Sequence, residues 1–206
     1  MAQQKSFLKG VYSVGDGQSM RRYYDDWAES YDQELTANDY RTPQRCAEAL
    51  TRHASDLRAP VLDFACGTGL SGVALREAGF ACIDGTDISP GMLARARATG
   101  VYRHLLQADP DQPLDLRDYG YGAIVASGAI GTGAAPADCL DWAIDSLAPG
   151  GLFVVSLNDH TREDPDFEGR LTRAVEAGKA TMLEAEDGAH LPGLDLRARV
   201  YVLRRA

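Results

Sequence analysis

The chain has 206 residues, 45% apolar and 25% charged; that length and mix fit one globular domain burying roughly 70% of its unfolded surface, without disulfide or metal staples. Twenty-one Lys and Arg against thirty Asp and Glu leave a net charge of −9, a field that repels phosphate backbones and sets nucleic acid aside as a partner. The longest uncharged stretch, Tyr119 to Ala137, holds five glycines and a proline, so no membrane helix is expected. The opening MAQQKSFLKG lacks a signal-peptide core. The cysteines at 46, 66, 82 and 139 have no zinc or redox spacing, and a cytoplasmic protein with free thiols is the expectation.

In chain order, glycines 10, 15 and 17 precede the first of two N-terminal helices, which carries Tyr24, Trp27, Tyr31 and Leu35 at spacings of 3, 4 and 4. By spacing alone these are aromatics packing on a sheet. Thr42–Pro43 opens the second helix, with proline in the first turn. Apolar runs at Val61–Phe64, Phe80–Thr86, Val101–Ala108, Gly122–Ser127 and Leu152–Leu157 then read as strands. Helices are predicted between them near 70–78, 90–98, 111–119 and 136–147, with Ser89–Pro90 as a cap-and-proline start. Short strand–helix alternation implies a parallel sheet covered on both faces. A helix at 165–178 and strands at Ala180–Ala185 and Leu194–Leu203 follow. The strict alternation of the last one, Leu194 through Val202 against Asp195 through Tyr201, is a period-2 pattern. Seven strands result, the last antiparallel, in one domain with N-terminal helices at 1–57 and the core at 58–206.

The segment VLDFACGTGLSG, Val61 to Gly72, runs a strand into the spacing Gly67-x-Gly69-x-x-Gly72. Glycines there permit a tight turn and a close ligand approach, while the following helix offers free N–H groups. Asp87 stands 20 residues after Gly67 at the end of the second strand, and Asp109 ends the third. An acidic residue at the first of these places suits ribose hydroxyls, and all three features fall at the carboxyl edge where open α/β sheets bind ligands. Asp63, inside the first strand, adds more carboxylate than a pyrophosphate tolerates. A nucleoside bearing cationic groups fits better.

These residues resemble the class I S-adenosylmethionine-dependent methyltransferases. LDFACGTG is similar to the family's glycine motif, with Ala65 in place of its first glycine; GTDISPGMLARAR, QADPDQPL and LAPGGLFVVSL resemble the later motifs. YYDDWAESYDQEL is similar to the opening helix of small members, including Williams–Beuren-region methyltransferase-like and quinone-methylase-like proteins. The resemblance covers roughly 20–160. It implies a Rossmann-like fold and S-adenosylmethionine as cofactor, with Gly67 and Gly69 near its methionine part and Asp63 orienting the ammonium directly or through water. It further implies Asp87 on the ribose, Ile88 and Met92 against the adenine, Asp109 on the adenine amino group and Ser127 beside the sulfonium. Tyr24, Trp27 and Tyr31 would close over the cofactor as a lid formed by the N-terminal segment.

No catalytic residue is named by these patterns. His160, after the fifth strand, is a weak candidate base. Ser127 stands where a metal-dependent catechol-type enzyme places a carboxylate, so no metal is expected. An amino-methylase Asn-Pro-Pro-aromatic motif is replaced by Ser127-Gly128-Ala129-Ile130. The expected acceptor is a small molecule rather than a protein, and the oligomeric state is not readable. Two alternatives stay open on the same residues: an NAD-dependent oxidoreductase, and a catalytically silent cofactor-binding module.

Overall fold

In the computed structural model, residues 7–8, 10–14, 17–112, 115–116 and 119–206 are described; Gly15 lies outside them. The elements run α1 (Gly17–Trp27), α2 (Tyr31–Ala37), α3 (Thr42–His53), β1 (Val61–Phe64), α4 (Leu70–Glu77), β2 (Ile83–Asp87), α5 (Pro90–Thr99) and β3 (His104–Gln107). The second half continues with β4 (Ala123–Ala126), α6 (Asp138–Ser146), β5 (Leu152–Asn158), α7 (Asp159–Arg162), α8 (Pro165–Glu176), β6 (Ala180–Leu191) and β7 (Leu196–Arg205). The seven strands form one sheet in the order β3-β2-β1-β4-β5-β7-β6. Strands β1 to β5 pair parallel, and β7 runs antiparallel between β5 and β6.

The pleat of each central strand sends alternate side chains to opposite faces. Val61, Val125, Val154 and Val202 meet α3 and α4 through Leu50, Ala74 and Leu75. Leu62, Ile124, Phe153 and Leu203 meet α6 and α8 through Leu140, Ile144, Phe167 and Leu171. Two apolar layers therefore sandwich the sheet, and truncating a fully buried member such as Phe153 to alanine would cost about 3–5 kcal/mol. The chain order reverses between β1 and β4, and such a reversal opens a crevice at the carboxyl ends of the strands.

Three sequence expectations differ from the structure. The single aromatic helix is two, α1 and α2, because the chain turns at 28–30, where Ser30 Oγ and the Trp27 indole both donate to Glu34 Oε1 at 3.1 Å. The helix expected at 111–119 is absent from its described residues: Asp111 N donates to Asp109 Oδ1 at 3.0 Å, making a tight turn, and Asp115 and Leu116 are not helical. Strand β6 runs to Leu191 instead of ending at Ala185.

Candidate active site

Strand β1 passes into a loop of left-handed backbone at Ala65 (φ 50°), Gly67 (φ 55°) and Gly69 (φ 100°) before α4 begins. The Gly67 N–H donates to Asp87 Oδ2 at 2.8 Å, and Ser89 N–H to Asp87 Oδ1 at 2.9 Å. One carboxylate thus ties the end of β2 to the glycine turn and to the start of α5. A Cβ on Gly67 would meet nothing within 4 Å, so this turn faces open space. Gly72 is different: a Cβ there would lie 2.3 Å from the Tyr102 hydroxyl. The third glycine of the motif serves internal packing, letting Tyr102 OH reach Asp63 Oδ2 at 2.7 Å.

The open space is a cleft of about 650 Å³ over the carboxyl ends of β1, β2 and β4, within the range of small-molecule sites. Tyr24, Tyr31, Gly67, Asp87, Ile88, Met92, Asp109 and Ser127 all line it. Its charged lining is Asp87, Asp109, Asp111 and Asp138, and among the described residues no Lys or Arg joins them. Burial pushes the Asp87 carboxyl up to about 6, against the pull of its two backbone donors. Asp109 sits exposed at the rim. Ser127 Oγ is buried without a well-formed hydrogen bond.

Three expected site residues do not reach the cleft. Asp63 shares the pleat direction of Val61, so its side chain enters the layer under α4, where Ser71 Oγ donates to Oδ2 at 2.6 Å. It is fully buried, Oδ1 has no partner, and burial raises its carboxyl to about 6. Direct contact with a ligand ammonium is therefore not available to it. Gly69 turns toward α5, where a Cβ would lie 3.1 Å from Thr99 and 3.3 Å from the Ala96 backbone. Trp27 is 3% exposed and stacks on Phe7 and Tyr24 at 6.0 and 5.8 Å.

Two acidic residues that sequence spacing did not single out, together with Tyr24, hold the N-terminal helices against the site. Asp32 of α2 accepts from Thr68 Oγ1 at 2.5 Å. Asp25 of α1 accepts from Gly91 N at 2.9 Å and from the Ser89 hydroxyl. Tyr24 OH donates to Gly133 O at 3.1 Å. Tyr40, between α2 and α3, lines the cleft as well. Burial raises the phenols of Tyr24, Tyr31 and Tyr40, which keeps this wall uncharged. These contacts join segments 36 to 109 residues apart, and no local pattern carries them.

A second, smaller chamber of about 60 Å³ adjoins the cleft, sharing Tyr24, Tyr31 and Tyr40 with it. The histidine in its wall is His190 of β6, not His160. His160 is exposed on α7, its ring 4.7 Å from that of Tyr12. Among the described residues no group of three or more His, Cys, Asp or Glu is arranged to hold a metal ion, and no helix is long and apolar enough to cross a membrane.

The profile of a methyltransferase domain family matches residues 38–200. Methyltransferase-like protein 27 of Homo sapiens is 31% identical over 177 residues, covering 83% of this chain and 72% of that protein. Among solved structures, the complex between the Trm112 methyltransferase activator of Haloferax volcanii and its methyltransferase matches with a TM-score of 0.64 at 20% identity, over 91% of this chain and 98% of that one. The 1,6-didemethyltoxoflavin-N1-methyltransferase of Burkholderia thailandensis, bound to 1,6-didemethyltoxoflavin and S-adenosylhomocysteine, matches at 0.62 and 16% identity, over 100% and 93%. At those identities the structures speak for the fold. The profile and the human relative, each spanning most of the chain, go further: the chain belongs to the class I S-adenosylmethionine-dependent methyltransferases.

Proposed function

We propose that the protein transfers a methyl group from S-adenosylmethionine to a small-molecule acceptor. The observation that carries this reading is the charge of the cleft: four carboxylates line it and no described Lys or Arg does. A pyrophosphate would meet only like charge there, which disfavours a dinucleotide, whereas a nucleoside carrying a sulfonium and an ammonium is attracted. The cleft's size and the open face of Gly67 fit such a group. S-adenosylmethionine supplies a methyl already bonded to a good leaving sulfur, so the chain's part is binding, alignment and exclusion of water. Alignment of this kind is worth ~7–11 kcal/mol.

In this reading Asp87 accepts from the ribose hydroxyls with its remaining lone pairs. Ile88 and Met92 flank the adenine, and Asp109 at the rim accepts from its amino group. Gly67 brings bare backbone to the methionine part. Asp63 acts indirectly, by fixing α4 through Ser71. The tyrosines cover the reacting end and keep water out. The small adjoining chamber supports a small acceptor, because it admits a functional group and not a folded surface.

Calorimetry tests the reading: S-adenosylmethionine and S-adenosylhomocysteine should each bind saturably and NAD should not. A saturable NAD isotherm without the other two would overturn it. A silent binding module would bind both nucleosides and yet transfer no label to any acceptor from a labelled methyl donor.

A further inference from the structure

His190 is held in the wall of the small chamber by a local irregularity of the sheet. Ala189 pairs with Arg197 and Leu191 with Leu196, which leaves His190 as the extra residue of a β-bulge. Bulges re-aim one side chain relative to the regular alternation. The backbone around it is fixed from α3 and the residue before it: Arg41 N donates to His190 O at 3.0 Å, and Arg45 Nη1 to Ala189 O at 3.1 Å. Its ring packs edge-on to Tyr40, centroids 5.4 Å apart, and Nδ1 lies 2.7 Å from Thr42 Oγ1. Nε2 is bonded to no described protein group. The ring therefore has one nitrogen committed to the scaffold and one left over.

The chamber is the second observation. Its polar lining beyond the phenols consists of Ser156, Asn158, Thr161, Thr132 and His190, and no described Asp, Glu, Lys or Arg joins them. A carboxylate, phosphate, ammonium or guanidinium placed there would lose its water without finding a counter-charge. A lysine or arginine side chain of a protein is thus a poor occupant.

We propose that His190 Nε2 takes the proton of the methyl acceptor, and that the acceptor offers this nitrogen an uncharged O–H or ring N–H. This rests on the methyl-transfer reading above. The acceptor's oxygen, or the hydrogen-free nitrogen of the ring that carries the N–H, gives its lone pair to the methyl carbon. The methyl–sulfur bond breaks with its electrons onto sulfur, which becomes a neutral thioether. The acceptor's proton passes to Nε2, and the imidazolium then releases it to solvent. For Nε2 to have a free lone pair, Nδ1 must carry the hydrogen and donate it to Thr42 Oγ1.

Burial holds the His190 ring at about 4, so it is neutral and able to accept across the neutral range. Of the charged groups near it, Asp159 on α7 pulls this value up, while Arg45 on α3 and His160 on α7 push it down. Tyr40, its ring neighbour, stays protonated. A base this weak still suffices, because an O–H becomes strongly acidic as its oxygen is alkylated, and a ring N–H as the ring's other nitrogen is.

The test uses the full chain, ¹⁵N-labelled and saturated with S-adenosylhomocysteine. The probes are phenol and pyrazole, with benzoate and benzylammonium as charged counterparts. Nitrogen NMR should show the His190 tautomer with hydrogen on Nδ1, and phenol or pyrazole should move the Nε2 resonance while the charged probes do not. Thr42→Val should shift the tautomer toward Nε2–H, and His190→Gln should weaken the neutral probe about tenfold. If His190→Gln does not fold, the wild-type tautomer and the Thr42→Val shift decide alone. A wild-type Nε2–H tautomer, equal response to a charged probe, or no response to either neutral probe would overturn the proposal. Failure to bind S-adenosylhomocysteine, seen before any probe is added, would overturn the methyl-transfer reading beneath it.

Discussion

Asp87 combines two opposed influences on one carboxylate. Its backbone donors from Gly67 and Ser89 favour the charge, and burial disfavours it more strongly, leaving the group at about 6. Ribose hydroxyls need the ionised form as acceptor. Affinity for S-adenosylhomocysteine should therefore fall as pH drops through that value, by about tenfold between pH 8 and 5. Asp87→Asn should abolish the slope and cost about 1.5–3 kcal/mol of binding at pH 8; calorimetry at the two pH values reads both. Ala65 makes a second case at this scale. Its φ of 50° costs an L-residue roughly 1–2 kcal/mol, and glycine returns about half of that in unfolded-chain entropy. Ala65→Gly should then raise the urea midpoint by an amount equal to about 0.5–1 kcal/mol. Both residues were legible in the sequence because each stands at the carboxyl end of a strand at a set spacing from the glycine turn. His190, Tyr40, Asp25 and Asp32 were not, since each acts on a partner remote in the chain.

The N-terminal helices show how an element can be read correctly in composition and wrongly in form. The spacing of Tyr24, Trp27 and Tyr31 continues unbroken across the turn at 28–30, so periodicity alone cannot see that α1 ends at Trp27. The end of β6 was hidden for a different reason. Glu186, Asp187 and Gly188 occupy it, and a half-exposed edge strand pairing with β7 needs no apolar alternation. Strands β1 and β5 were plain because both faces are buried and every position is apolar or committed to a core contact. The docking of α1 and α2 onto the cleft has an outcome that separates a lid from a fixed wall. Their polar ties run to Thr68, Ser89, Gly91 and Gly133, two loops and the start of α5 that a bound nucleoside would itself stiffen. Cleavage by trypsin at Arg21 and Arg22 should then slow on adding S-adenosylhomocysteine. Equal cleavage rates with and without it would mark the helices as permanent wall. A core role for Trp27 predicts a loss of about 3–5 kcal/mol in Trp27→Ala either way.

At the scale of the whole molecule, buried ionisable groups of opposite sign set how stability responds to pH. Asp63 and Asp87 each stand at about 6 in the folded chain, against about 3.9 unfolded. Between those values the folded state binds more protons, so both groups add stability as pH falls and withdraw it as pH rises through 6. His190 does the reverse. Folded it stands at about 4 and unfolded at about 6.5, so the unfolded chain takes the proton first and stability is lost as pH falls through that window. Asp84 is held low by Arg103, Tyr121 and His104 despite its burial; its contribution persists until pH falls below the ordinary carboxylate range. From pH 8 to 5 the two aspartates should add about 1.4 kcal/mol each, and the histidine should remove about 2 kcal/mol. The wild-type chain without ligand should therefore change by less than about 1 kcal/mol, a flatness produced by cancellation and not by absence of titration. Removing one side of the balance exposes the other. His190→Gln should gain about 2–3 kcal/mol from pH 8 to 5, and Asp63→Asn should turn the small net gain into a small loss. Urea unfolding of the three proteins at both pH values decides it. A wild-type chain that loses stability steeply on acidification, or a His190→Gln chain as flat as the wild type, would show that the buried carboxylates are already neutral or already solvated at pH 8.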